Sequence, residues 1–215
     1  MRPIKKHCIF DLDGTLFDSM ENWPRAMIQV MDEAGLKYPD DVVNIITPLG
    51  YKGCAEYFIS LGHPEKDPDV IVEQIYDYLT EDYTYKIDIK PYVKEMLESL
   101  CADGIKVYAL TASPHRMVDP CLKRNGIYHL FEAVWSTDDF GRIKSDPKIY
   151  EETLQKIGVK ADEVEFYDDN NVALRTAKSV GFRVIGVYDS VTEQYREEIE
   201  SFADGYVECF SEMIK

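Results

Sequence analysis

Short apolar runs alternate with amphipathic stretches over most of this chain. "IKKHCIF" turns apolar at Cys8 to Phe10 and reads as a first strand. Residues 17 to 88 differ. "MENWPRAMIQVMDEAGL", "YKGCAEYFISLG" and "DPDVIVEQIYDYLTEDYTYK" carry apolar residues at helical spacing, and Gly35, Gly50, Gly62 and Pro64 punctuate them. No strand pattern interrupts them, which predicts a helical insertion. Beyond it the pattern becomes helix then strand. "VKEMLESLCADG" with its Met96, Leu97 and Leu100 face leads to "IKVYAL". "DPCLKRNG" leads to "EAVWST", "DPKIYEETLQKIG" to "EVEFYD", and "NVALRTAKSVG" to "RVIGVY", with "YVECF" as a late strand. Strands alternating with helices predict parallel βαβ units and a doubly wound, Rossmann-like α/β sheet. The expected domains are residues 1–16 with 89–215 as the α/β core, and 17–88 as an inserted α-helical cap. There is no internal repeat.

The length of 215 residues accommodates such a core and insertion. A formal charge of -16 repels phosphate backbones, so nucleic acid is not an expected partner. A small anionic substrate remains compatible, because its binding depends on local positive groups. The five cysteines, Cys8, Cys54, Cys101, Cys121 and Cys209, are scattered and include no CxxC pair. They read as free thiols in a reducing compartment. The basic start ends in acid after three apolar residues, unlike a signal peptide, and no run approaches the ~18 apolar residues of a membrane span. A soluble cytoplasmic protein is expected, with no membrane partner and no oligomeric partner implied.

In an open α/β sheet, ligands bind beyond the carboxyl ends of the strands. Asp11 and Asp13 follow the first strand, Thr111 and Ser113 the second, and Asp168 and Asp169 a later one. Alternation lets Asp11 and Asp13 share a side while Leu12 faces away. Clustered carboxylates stay ionised only when something cationic holds them. Oxygen donors without His or Cys favour a hard ion such as Mg²⁺. A lysine in reach would clamp a phosphoryl group, and a carboxylate beside it could act as nucleophile.

Four segments then carry a family resemblance. "FDLDGTL" resembles the first motif of the haloacid dehalogenase superfamily in its phosphatase form, DxDGT. "VYALTAS", "GRIKSDPKIYEETLQKIGV" and "VEFYDDNNVALRTAKSVGF" resemble the second, third and fourth, in order. The match covers residues 4 to 16 and about 89 to 190, and the insertion is similar to the helical cap of one subclass. The resemblance implies a phosphatase acting on a small phosphorylated metabolite through an aspartyl-phosphate, with Mg²⁺ as cofactor. It implies Asp11 as nucleophile and metal ligand. Asp13 would be the acid-base, with its backbone carbonyl on the metal. Thr111 and the Ala112 amide would bind phosphoryl oxygens, and Lys144 would stabilise phosphoryl charge and hold Asp11. Counting back from Gly181 makes Asp169 the direct metal ligand and Asp168 an auxiliary one. A further acid common four residues later is replaced by Ala173.

Plainer readings stand beside these. Asp-Gly is a common turn pair, Thr111 and Ser113 could cap the next helix, and Asp168-Asp169 could cap the one beginning "NVAL". Lys148 rivals Lys144 but falls within the expected helix. Lys52, after Gly50, is a candidate substrate contact from the cap, or a solvated lysine. The tyrosines of "YDYLTEDYTY" read as packing. The four histidines lack metal-site spacing, although His115 and Arg116 closely follow the second motif. On the same scaffold, a dehalogenase or phosphonate hydrolase would not need Asp13. A β-phosphoglucomutase-like transferase shares the full motif set. A non-catalytic regulatory binder of phosphorylated ligands would not need all of Asp11, Asp13, Thr111, Lys144 and Asp169.

Overall fold

Six short strands form one parallel sheet: β1 (His7–Phe10), β2 (Lys106–Thr111), β3 (Ala133–Ser136), β4 (Val164–Asp168), β5 (Arg183–Val187) and β6 (Gly205–Val207). Their order across the sheet is β3-β2-β1-β4-β5-β6. The computed structural model describes residues 2–46 and 49–214. It divides into two compact units, residues 1–18 with 87–215, and residues 19–86.

The sheet belongs to the first unit. Its central strands are buried on both faces, which is why β1 is apolar at three successive residues, Cys8 to Phe10, rather than alternating, while β4 holds a buried acid, Glu165, inside its apolar stretch. On one face, Ile9, Leu110, Phe166 and Val184 pack in a cluster with residues of α7 (Pro147–Ile157), α8 (Asn171–Val180) and α9 (Arg196–Phe202). The alternate residues turn to the opposite face. There Phe10 stacks on Tyr167 and meets Phe210 edge-on, and α5 (Val93–Ala102) lies against β2. The sheet is therefore doubly wound. Register pairs Phe10 with Ala109 on one side and with Tyr167 on the other. The strand order thus reverses at β1 and β4, which makes their carboxyl ends the crevice-forming switch point.

The second unit is helical throughout: α1 (Asn22–Glu33), α2 (Val42–Ile46), α3 (Gly50–Ser60) and α4 (Pro68–Tyr85) among its described residues. Its core joins Trp23, Met27 and Met31 of α1, Cys54 and Phe58 of α3, and Ile71, Ile75, Leu79 and Tyr83 of α4. Asp67 caps α4 and Pro68 occupies its first position, where a missing N–H costs nothing. Tyr83, read as packing, is fully buried in this core.

Three elements differ from the sequence expectation. α2 and α9 were not expected, because five and seven residues give too little periodicity, and α9 buries one residue, Ile199. The helix expected at "DPCLKRNG" is α6 (His115–Arg124), which begins earlier and runs through Pro120. A proline inside a helix is a poor guide to its start, since it forfeits one backbone bond without always ending the helix. No described helix is long and apolar enough to cross a membrane.

Candidate active site

The chain leaves β1 in a tight turn. The Leu12 carbonyl accepts from the amides of Thr15, Leu16 and Phe17 at 3.3, 2.8 and 2.7 Å. Gly14 takes φ +77° there, a region that favours glycine. It has a second reason to lack a side chain: a Cβ would lie 2.7 Å from Asp169 Oδ2. Gly14→Ala is therefore expected to lower thermal stability by about 1–3 kcal/mol and to disturb Asp169. A melting curve within 1 °C of wild type would contradict this contact.

The turn and the end of β4 gather Asp11, Asp168 and Asp169, all buried, with one oxygen of each within 4.8 Å of the others. Lys144 reaches into this group from the loop before α7. Its ammonium donates to Asp11 Oδ1 and, at 2.9 Å, to Asp168 Oδ2. Lys148, by contrast, lies on α7. The Tyr150 hydroxyl, fully buried, sits 3.0 Å from the Lys144 carbonyl and 3.1 Å from the Ala173 carbonyl, so it ties the lysine loop to α8. Thus the aromatic residue of "DPKIY" anchors the lysine, a job the spacing does not disclose.

The two oxygens of Asp168 are both engaged, Oδ2 by Lys144 and Oδ1 by the Asn170 amide at 2.8 Å. Asp169 Oδ1 accepts from the Thr15 hydroxyl at 3.2 Å. Neither aspartate caps α8. That task falls to Asn170, whose side chain accepts from the amides of Val172 and Ala173. The Asp13 carboxylate meets hydroxyls at the end of β2. Its Oδ2 accepts from the Ser113 hydroxyl at 2.5 Å and lies 3.4 Å from the Thr111 hydroxyl. Thr111 and Ser113 do not cap α6, whose N-cap is Pro114. Thr111 Oγ1 instead accepts from the Ser113 amide at 3.0 Å, and Ala112 between them is exposed. Sequence reasoning missed Thr15, Ser113 and Asn170 as partners of these acids. The first lies inside "DGT" and was available, and the other two are common loop residues.

Burial drives the electrostatics. It raises the Asp11 pKa well above the carboxylate range. Lys144 opposes the rise, while Asp168, Asp169 and Asp13 add to it. Burial, then Asp168 and Asp189, push Asp169 to about 7. Burial also works against the Lys144 ammonium, but Asp11 and Asp168 outweigh it and raise its pKa. One ammonium facing three buried carboxylates leaves an excess of negative charge. An all-oxygen set of this kind suits a hard divalent cation.

His115 is held by two acids, its ring nitrogens 3.0 Å from Asp119 and 2.9 Å from Asp139. Lys52 belongs to the helical unit, where it lies exposed on α3, 3.7 Å from Asp69.

A model of the haloacid dehalogenase-like hydrolase family matches residues 8–187. The chain belongs to that family. Its helical second unit, inserted after the first strand, places it among the members with a helical cap, and the family makes it a hydrolase. It is 26% identical over 199 residues to the phosphorylated carbohydrates phosphatase of Thermotoga maritima, covering 86% of each chain. It is 28% identical over 188 residues to the phosphoglycolate phosphatase of Haemophilus influenzae, covering 83% of each. The crystal structure of CbbY from Rhodobacter sphaeroides in complex with phosphate has the same fold. Its TM-score is 0.79 at 21% identity, over 97% of this chain and 96% of that one.

Proposed function

We propose that this hydrolase is a magnesium-dependent phosphatase of a small phosphorylated metabolite, working through an aspartyl-phosphate on Asp11. The observation that carries the reading is the division of labour between the two aspartates of "DLDG". Asp11 sits against Lys144 among buried carboxylates, while Asp13 sits on the hydroxyls of Thr111 and Ser113. This separation supports reading one as the nucleophile and the other as a separate proton carrier. The curated relatives named as phosphatases of phosphorylated carbohydrates and phosphoglycolate support a small substrate.

Asp11 and Asp169, with the Asp13 backbone carbonyl, would hold Mg²⁺. Asp168, engaged by Lys144 and by its own turn, would be auxiliary. The ion supplies positive charge that neutralises the carboxylates and a phosphoryl oxygen. In the first half-reaction, an Asp11 carboxylate oxygen bonds to phosphorus as the ester P–O bond breaks. Asp13 gives its proton to the leaving oxygen. Lys144, the Thr111 hydroxyl and the Ala112 amide hold the phosphoryl oxygens. In the second half, water attacks the same phosphorus, Asp13 takes its proton, and the Asp11–phosphate bond breaks to free inorganic phosphate. Lys52 is the candidate by which the cap unit would contact the substrate.

Phosphate release from a panel of sugar phosphates, phosphoglycolate and nucleoside monophosphates tests this reading. With magnesium, release is expected from one or two compounds and none after EDTA. No release from any of them by folded protein would overturn it. Isomerised sugar phosphate in place of free phosphate would replace hydrolysis with a mutase reaction.

A further inference from the structure

Lys90 stands outside the four motifs, in the segment that re-enters the α/β unit after the helical insertion. Its ammonium donates to the carbonyl of Gly14 and, at 2.6 Å, to that of Tyr188, and lies 3.0 Å from Asp189 Oδ2. Three N–H groups thus meet three acceptors, so the charge is fully engaged. Both side chains are largely buried, with 15% and 5% exposure. The Asp189 carboxylate is itself fixed, because Oδ1 accepts from the Val191 amide at 2.9 Å. The Lys90 amide also donates to the Leu16 carbonyl at 2.8 Å. Lys90 therefore grips the turn after β1 at two points and moors it to the loop after β5.

The gripped peptide is the one that walls Asp169. Gly14 leaves no room for a Cβ beside that carboxylate, and Thr15 donates to it. Lys90, itself held by Asp189, fixes the carbonyl of this same Gly14. We infer that Lys90 and Asp189 form a positioning pair that sets the Asp169 carboxylate for the cation through the Gly14–Thr15 turn. This rests on the reading of Asp169 as a metal ligand. Groups that orient metal ligands commonly tune affinity by 10- to 100-fold.

The test is magnesium binding by isothermal titration calorimetry to the metal-free, full-length protein, for wild type, Lys90→Met, and the double variant Lys90→Met with Asp189→Asn. Lys90→Met is expected to weaken magnesium binding about tenfold or more. It should raise the magnesium needed for half-maximal phosphate release by the same factor, and excess magnesium should restore turnover. It also strands Asp189 as an unpaired buried charge and so lowers the melting temperature. The double variant removes that charge, so melting should recover while magnesium affinity stays weak. Wild-type affinity in Lys90→Met, or recovery of affinity together with melting in the double variant, would overturn the inference. Wild type that binds no magnesium would overturn the metal-site reading itself, and the pair's role with it.

Discussion

Asp11→Asn should abolish phosphate release while leaving a protein at least as thermally stable as wild type in the absence of metal. The expected loss in turnover is on the order of 10⁴- to 10⁶-fold, the scale seen when a nucleophile is removed from an otherwise intact site. The amide occupies nearly the same space, so no cavity forms, but it cannot form the acyl phosphate. Stability should not suffer, because burial and three neighbouring acids already strain the Asp11 carboxylate toward protonation. Removing its charge relieves that repulsion. Lys144 keeps Asp168 as a partner, so no unpaired ammonium is created. Retention of more than a tenth of wild-type turnover would remove Asp11 from the nucleophile's role. A large drop in melting temperature would mean that its pairing with Lys144 holds the loop before α7 in place.

How far the fold was legible depended on burial. β1 and β5 are buried on both faces and appear as short apolar runs, and β4 does so apart from its buried Glu165. α7 and α8 carry stripes closed by Gly158 and Gly181 in the left-handed region, so pattern and stop signal agree. α9 has a single buried residue and no such stripe. The site follows the same logic. Asp11, Asp13, Thr111 and the Asp168-Asp169 pair are legible as candidates because each stands at or just beyond a strand end, and Lys144 because "DPKIY" follows it. Lys90 is not, since its partners are two backbone carbonyls, 76 and 98 residues away, and an acid in another loop. A linker lysine that donates to carbonyls looks, in sequence, like any solvated lysine. Ser113 and Asn170 divide by geometry alone: the first serves Asp13, and the second does the capping for which Asp168 and Asp169 were also candidates.

Magnesium should raise the melting temperature more at pH 8 than at pH 5.5. In the folded, metal-free protein, burial and then Asp168 and Asp189 raise Asp169 to about 7, and Asp11 is raised in the same direction. In the unfolded chain an aspartate titrates near ~3.9. A carboxyl whose folded pKa exceeds its unfolded one contributes its full stability below the unfolded value. That contribution is lost as the pH climbs through the folded value. These two groups therefore weaken the metal-free protein progressively from about pH 4 to about 7 and beyond. The cation binds the ionised carboxylates, so at pH 5.5 it competes with protons, and at pH 8 it meets charges already formed and repelling one another. With magnesium at about a hundred times its dissociation constant, the stabilisation is ~2.7 kcal/mol. For a chain of this size that amounts to a rise of roughly 5–10 °C. Differential scanning calorimetry with magnesium or EDTA at each pH isolates the effect, because groups remote from the site cancel in the difference. Asp169→Asn should reduce the rise at pH 8. An equal rise at both pH values, or a larger one at pH 5.5, would mean that the cation does not bind where these two carboxylates ionise.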